Sequence, residues 1–403
     1  MRRVVRALLL AFAFAIPWEY SLDIGEPLGN IARIVGLVLL LAAIPAVLHA
    51  GSLRTPGPLQ WLVLAIFAWS CCTCFWTIDQ QATMTRLRGY FQVMMPVWLI
   101  WEFAETPQDL RDLLRAYVAG SWVLAVLTIA SLASPDAATQ VRFVAEGQDP
   151  NDVARFLDLG FPLTALLLDW ESRLWWKLLA LGYLPAGLIG VLLTASRGGF
   201  LAAVVALGGC GLILLSRHSR TVVAGTLSLP IIGTAFWFLV PHETIARIGT
   251  IPQQLERGDL NQRLNIWSAG WQAFVHAPFF GAGAGTFVQA ARLAPADTAH
   301  NTALTVVVEG GIIALILASA ILAVCARSVL ATRGSVRIAL ATALLVWLVT
   351  SLVATVETNR TTWLLMGLLC LAGRLEAEKP GLVESCFPGR VSEQLQAAAG
   401  EAG

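Results

Sequence analysis

The segment "AHNTALTVVVEGG", residues 299–311, places His300 and Asn301 directly before an apolar run and Glu309 inside that run. An imidazole at the edge of an apolar run is the side chain best suited to proton transfer near neutral pH. If the run is a continuous helix from residue 299, each residue advances about 100°. His300, Gly311 and Ala314 then share one face, and Glu309 points the other way. We therefore interpret Glu309 as a structural group that pairs with an arginine within the membrane or hydrogen-bonds a helix end.

Several arginines accompany this histidine at the same ends of the apolar runs: Arg33, Arg86, Arg88, Arg155, Arg197, Arg263 and Arg360. A charge at mid-bilayer costs roughly 2.5–3.5 kcal/mol and less near the interface. A planar guanidinium group suits two-pronged contact with phosphate. Snorkelling explains one or two such residues, and a GC-rich genome would favour arginine codons. A whole group indicates an anionic ligand.

The composition defines the elements that must position these side chains. Of 403 residues, 57% are hydrophobic and 13% are charged, against roughly 25% charged in a soluble domain. This excludes a soluble globule, and neither the net charge of +1 nor any basic block suggests nucleic acid. Apolar runs near the roughly 20 residues needed to cross a bilayer predict an all-α, polytopic membrane protein. About twelve spans are expected, near 4–18, 31–49, 58–76, 87–104, 113–133, 151–169, 175–194, 198–215, 221–240, 301–325, 338–356 and 361–374.

The distribution of basic residues predicts the orientation, because cytoplasmic loops are enriched in arginine and lysine. The three arginines at the N-terminus, Arg2, Arg3 and Arg6, predict that the first span begins in the cytoplasm. Alternate loops carry further basic residues. Both termini are then cytoplasmic and the loop 241–300 is external. We expect a membrane domain over 1–375, including that loop, and a polar cytoplasmic tail over 376–403.

The external loop contains a predicted interfacial helix. Asp259 and Gln262 resemble a capping box, which places Arg263 in the first helical turn, where free N–H groups favour anions. One apolar face suits the head-group layer; it carries Leu264, Trp267, Trp271, Phe274 and Val275. The glycines of "GAGAG", 281–285, form either a tight turn or a nest of N–H groups for an anion.

Four motifs in this order resemble the O-antigen ligase and polymerase superfamily of membrane glycosyltransferases: "DPNDVARFLDLGFPL", "TASRGGFLAA", "RLNIWSAGWQAFVHAPFFGAGAGTF" and "AHNTALTVVVEGG". The resemblance covers residues 147–325 and implies a GT-C-like plan in a bacterial inner membrane. It implies transfer, without metal or cofactor, of a glycan from an undecaprenyl-diphosphate carrier to a lipid A–core sugar at the periplasmic face. The ligase pattern has Gly, Thr or Tyr where this chain has Ala314.

The resemblance also implies residue roles. His300 would be the general base that deprotonates the acceptor hydroxyl, and attack opposite the leaving group would invert the anomeric centre. Arg197 and Arg263 would hold the diphosphate and stabilise its growing charge. Further substrate-binding candidates are Arg155, Arg360, Arg88 and Asn301.

Other functions remain open from the sequence alone. A polymerase of the same superfamily would differ only in its acceptor, another lipid-linked glycan. A metal-dependent glycosyltransferase could use Asp23 or Glu26, although the outer segments carry no Asp-x-Asp pair. A lipid-linked sugar transporter or flippase would show internal repeats, and none is clear. A structural scaffold would leave the outer arginines without a role.

Overall fold

The computed structural model describes residues 1–25, 29–135, 139–215, 240–256, 258, 262–295 and 297–383. Within these ranges the chain is helical, with fifteen α-helices. They are α1 Arg2–Ala15, α2 Ile31–Ala50, α3 Pro58–Cys72, α4 Gln80–Phe103, α5 Pro107–Ala130, α6 Pro150–Trp170, α7 Leu174–Leu193, α8 Arg197–Leu215, α9 His242–Gly249, α10 Ile251–Glu256, α11 Arg263–His276, α12 Phe287–Ala290, α13 Thr302–Ala331, α14 Gly334–Ser351 and α15 Arg360–Glu378.

Eight helical segments in the described part of the chain are long and apolar enough to cross a membrane. They are Arg2–Ser21, Ile31–Ala50, Pro58–Phe75, Pro107–Ala133, Leu174–Leu193, Arg197–Leu215, Thr302–Ala331 and Gly334–Ser351. The protein is therefore a multi-pass membrane protein. A helix occupies eleven of the twelve predicted spans. The remaining one, 221–240, lies outside the described residues except for its last residue, so the number twelve stays a prediction.

The centre of the bundle is formed by α6 and α15, which are buried along nearly their whole length. α7, α8 and α14 pack against α6, while α4 and α13 pack against α15. Helix starts follow local chemistry. α6, for example, begins with Pro150 at its first position, and Asp149 accepts hydrogen bonds from the free N–H groups of Asn151 and Asp152. Such caps satisfy donors that have no partner within the helix.

The helix α13 is broken at Gly311, which corrects the expectation of a continuous helix from residue 299. Gly311 has φ 66° and ψ −166°, a conformation essentially restricted to glycine. The helix also starts later than expected, because Asn301 caps it and His300, with φ 47°, lies before the cap. His300 therefore does not share a helical stripe with Gly311 and Ala314.

The glycine-rich segment 281–285 docks onto this break and explains it. The freed carbonyls of Val308 and Glu309 accept from Ala282 N (2.8 Å) and Gly283 N (3.0 Å), and Ile312 N donates to Pro278 O at 2.9 Å. The two backbones are in such close contact that a Cβ on Gly281 would lie 2.4 Å from the Glu309 carbonyl oxygen. The glycines are needed for this approach.

The helix α11 has Arg263 in its first turn, as expected, and its predicted apolar face is partly exposed and partly packed. Ile266 is buried and Trp267 packs with it against Phe287, whereas Leu264, Trp271 and Val275 are exposed. The inner side contacts the start of α13, so the helix is partly a packing element. Of its predicted capping box, Asp259 lies outside the described residues, and Gln262 provides no side-chain cap.

Candidate active site

One cavity of about 360 Å³ brings together three residues that the sequence motifs singled out, His300, Arg197 and Arg263. Its wall is made by residues from six segments: Arg142, Asp149, Asn151, Ala195, Ser196, Arg197, Gly198, Leu201, Arg247, Ile251, Gln254, Arg263, Trp267, His300 and Val353. Arg197 begins α8, Arg263 begins α11, and His300 immediately precedes the cap of α13. The cavity thus lies at one end of the bundle, where several helices start.

Hydrogen bonds around Asn151 hold two of these helix starts together. The Ser196 hydroxyl donates to Asn151 Oδ1 at 2.8 Å, and Arg142 Nη2 donates to the same oxygen at 3.3 Å. Arg142 Nε also donates to the carbonyl of Thr194 at 3.0 Å. The start of α6 is therefore fixed against the turn that leads into α8, and Arg197 follows directly from that turn.

Arg142 and Arg247 line the cavity as well, and the sequence analysis missed both. Arg247 Nε donates to Ala195 O at 3.3 Å, while Arg197 Nε donates to Arg247 O, also at 3.3 Å. Both missed residues lie in segments that had been predicted to be external, but away from the span ends. An arginine count over whole external loops would have found them.

His300 is held by its backbone neighbours. Trp267 Nε1 donates to the carbonyl of Ala299 at 3.0 Å, on one side of the histidine. On the other side, Asn301 accepts from Leu304 N at 3.0 Å and donates to Leu352 O at 3.4 Å. Asn301 therefore has an evident structural task as a helix cap. Its predicted contact with substrate stays a prediction.

The cavity carries a surplus of positive charge. It is lined by four guanidinium groups, and among its described lining residues Asp149 alone is acidic. Burial lowers the pKa of Arg263, as does the positive charge of Arg197; burial and Arg247 lower the pKa of Arg142. These directions show that the cations repel one another in a partly desolvated space, a situation that a bound anion would relieve.

The same field acts on His300. Burial lowers the pKa of its imidazole below the ordinary value of 6.5, and the positive charge of Arg263 lowers it further, while Asp149 and Asp297 oppose the shift. The imidazole is therefore mostly uncharged at neutral pH, the form that can accept a proton.

The other predicted binding residues do not line this cavity. Arg155 is buried and pairs with Asp152 at 2.7 Å. Arg360 is buried and pairs with Glu19, and its Nη2 also donates to Gln92 at 3.4 Å. Arg88 is exposed on α4. A role of these residues in substrate binding stays a prediction.

Glu309 pairs with an arginine, as predicted, but its second partner is a backbone N–H of the glycine-rich segment instead of a helix end. Its Oε1 lies 3.2 Å from Arg86 Nη2, and its Oε2 accepts from Gly285 N at 2.7 Å. One N–H group of the glycine segment, that of Gly285, therefore binds an anion, and this anion is the protein's own carboxylate.

Of the two acids considered for a metal-dependent reaction, Asp23 is exposed and accepts from Gly25 N at 2.9 Å, outside this cavity. Glu26 lies outside the described residues.

A bundle of apolar helices with an arginine-rich cavity beside a histidine defines a class: multi-pass membrane proteins with a positively charged cavity at one end of the bundle. Residues 182–319 match the family model described as O-antigen ligase. The matched segment, about a third of the chain, includes Arg197, Arg263 and His300, and over this segment the chain is similar to the O-antigen ligase family. No curated protein matches the chain.

Proposed function

We propose that the protein transfers a glycan from an undecaprenyl-diphosphate carrier to a lipid A–core sugar at the periplasmic face of the inner membrane. The observation that carries this proposal is the single cavity that joins His300 to Arg142, Arg197, Arg247 and Arg263. This reaction needs a proton acceptor for the attacking hydroxyl and phosphate-binding groups for the leaving diphosphate, and the residues of this cavity fit both needs.

The charge of the cavity fits the reaction. Four guanidinium groups and the Asp149 carboxylate leave a surplus of three positive charges. A glycan-bearing diphosphate diester carries two negative charges, and departure of the glycan exposes a third. The cavity therefore complements the departing diphosphate better than the bound donor, and interactions that strengthen towards the transition state accelerate a reaction. This supports charge stabilisation by arginines without a divalent cation.

The proposed chemistry has one concerted step. His300 takes the proton of the acceptor hydroxyl as that oxygen attacks the anomeric carbon. The bond between the anomeric carbon and the phosphate oxygen breaks, and its electron pair stays on the diphosphate, which the arginines stabilise. Attack from the face opposite the diphosphate inverts the anomeric configuration. General-base catalysis of this kind contributes about 10²–10⁴ in rate.

Replacement of the histidine tests the proposal. We expect His300→Ala to lower glycan transfer by about 10²–10⁴, with unchanged membrane insertion and unchanged affinity for undecaprenyl diphosphate. The measurement is transfer from a purified lipid-linked glycan to lipid A–core by protein reconstituted in liposomes. Full activity of His300→Ala removes this residue from the mechanism. Movement of the intact lipid-linked glycan across the bilayer without transfer would instead assign a flippase.

A polymerase is the second candidate, favoured by Ala314, where the ligase pattern has Gly, Thr or Tyr. The acceptor would then be a second lipid-linked glycan, and the cavity chemistry would be the same. Deletion of the gene distinguishes the two. Loss of long chains from lipopolysaccharide indicates ligation, whereas attachment of single repeat units indicates loss of a polymerase.

A further inference from the structure

Arg86, on α4, does not line the candidate active-site cavity, yet its guanidinium group joins three segments. Its Nη2 lies 3.2 Å from Glu309 Oε1, and its Nη1 lies 3.1 Å from Glu357 Oε1. The two glutamates are 4% and 7% exposed. Glu309 belongs to α13, and Glu357 to the connection 352–359 between α14 and α15. A planar fork of donors can contact two carboxylates at once, which an ammonium group does less well.

The arm towards Glu309 fixes the broken helix. The other oxygen of this carboxylate accepts from Gly285 N at 2.7 Å, so the same side chain ties the glycine-rich segment and α4 to α13. Around it, Trp69 Nε1 donates to Gly310 O at 2.8 Å. The upper part of α13, residues 302–310, is thus held from two sides, and His300 leads into it.

The arm towards Glu357 fixes the connection 352–359, which is bonded to the first turn of α13. The Thr302 hydroxyl donates to Ala354 O at 2.9 Å and accepts from Val356 N at 2.9 Å. Val353 of the same connection lines the active-site cavity. Because His300 lies two residues before Thr302, this arm also bears on the position of the histidine.

We propose that Arg86 is a positioning residue, which clamps the glycine-rich segment and the connection 352–359 to α4 and thereby sets the place of His300 in the cavity. This inference rests on the proposed function for its catalytic consequence. Misplacement of a reacting group by about 1 Å can cost 10² in rate. Loss of Arg86 also leaves two buried carboxylates without their counter-charge, so they repel one another and move apart.

Arg115 provides a matched control, because it forms a comparable buried ion pair at the opposite end of the bundle. Its Nη2 donates to Glu171 Oε2 at 2.7 Å, and Glu171 is buried. Glu171 follows the end of α6, whereas the cavity lies at the start of that helix. Arg115→Gln therefore breaks a buried pair without touching the segments that hold His300.

The kinetic test compares Arg86→Gln, Arg86→Lys and Arg115→Gln on folded, purified protein. We expect Arg86→Gln to lower kcat by about 100-fold, with the donor KM within about threefold of the original because the cavity arginines remain. Arg86→Lys should restore part of kcat, since it keeps the charge but not the fork. Equal losses of kcat in Arg86→Gln and Arg115→Gln would show a general folding effect and overturn the proposal.

If Arg86→Gln does not fold, Glu357→Gln replaces it as the test, because this variant keeps an acceptor oxygen. Glu357→Gln should lower kcat and leave KM unchanged. An unchanged kcat in Glu357→Gln also overturns the proposal.

A second measurement needs no glycan transfer. Diethyl pyrocarbonate acylates accessible imidazoles, and mass spectrometry resolves the rate at His300 relative to the exposed His49. We expect this relative rate to rise severalfold in Arg86→Gln and to stay unchanged in Arg115→Gln. If Arg86→Gln raises the relative rate but the unmodified protein transfers no glycan, the positioning role of Arg86 stands and the proposed function is refuted. If the relative rate is unchanged in Arg86→Gln and the unmodified protein does transfer glycan, only the positioning role of Arg86 is refuted.

Discussion

The replacement Gly311→Ala should destabilise the protein strongly, because the residue lies where α13 breaks. With φ 66° and ψ −166° the backbone is in a region that alanine hardly occupies, at a cost of order 1–3 kcal/mol. A Cβ at this position would lie 2.2 Å from the carbonyl oxygen of Phe279. The segment around Phe279 must therefore move away, and the hydrogen bond from Ile312 N to Pro278 O is then lost. This loss costs a further amount of about 0.5–1.5 kcal/mol. We expect a total loss of about 1.5–4.5 kcal/mol.

Thermal unfolding of the purified protein in detergent measures this effect, with Gly208→Ala as the control. A Cβ on Gly208, within α8, meets nothing within 4 Å, and alanine is favoured over glycine inside a helix by about 0.5–1 kcal/mol. Gly311→Ala should therefore lower the unfolding midpoint by several degrees, and Gly208→Ala should leave it unchanged or raise it. A midpoint for Gly311→Ala equal to that of the unmodified protein would mean that α13 is not broken there, and the account of how the glycine-rich segment holds the helix would fall.

Two further predictions concern the cavity. Since a neutral imidazole must accept the proton, kcat/KM should fall as pH drops through the pKa of His300. Arg263→Gln removes one positive charge that lowers this pKa, so the acid limb of the residual kcat/KM should move to higher pH. Asp149→Asn removes a negative charge that raises the pKa, so the limb should move to lower pH. Shifts in the opposite directions contradict the assignment of His300 as the base. Arg142→Gln and Arg247→Gln should each reduce transfer by about 10²–10³. The lost bonds to Thr194, Asn151 and Ala195 should lower the unfolding midpoint only slightly, and full transfer in both variants would exclude the two arginines from diphosphate stabilisation.

The helices could be predicted from the sequence because their signals are local. A run of apolar residues of bilayer length is a helix whatever surrounds it, and eleven predicted spans coincide with observed helices. The juxtaposition of His300, Arg197 and Arg263 was expected from the order of motifs and not from any physical argument about a single helix. The helical-wheel argument was wrong in its premise, since His300 precedes the helix and the helix breaks at Gly311.

That break could not be read from residues 299–311 alone. Two consecutive glycines lower helix propensity, but the conformation is set by the partners of the freed groups, which lie about 30 positions earlier, in 278–283. A pair of glycines at 198 and 199 stays helical in α8. The same sequence signal thus has two outcomes, decided by what packs against it.

The outer arginines show a second limit, because whether a cation is available to a ligand depends on its partner. Glu19, the partner of Arg360, is 341 positions away in the chain, and the two glutamates beside Arg86 come from α13 and from the connection before α15. No spacing rule connects such residues. From the sequence alone, an arginine at the end of a span therefore fits a structural ion pair as well as it fits a phosphate-binding role.

The kind of partner separates two groups of arginines at this end of the bundle. Arg86, Arg155 and Arg360 face carboxylates, which neutralise their charge within the protein. Arg142 and Arg247 donate through Nε to the carbonyls of Thr194 and Ala195. A neutral oxygen, such as these carbonyls or the Asn151 amide beside Arg142 Nη2, orients a guanidinium group but leaves its full charge, which can still attract a phosphate. One residue type thus has two kinds of environment: carboxylate-paired arginines are neutralised within the helix bundle, and carbonyl-held arginines keep the cavity positive. In the function that we propose, the second group receives the leaving diphosphate.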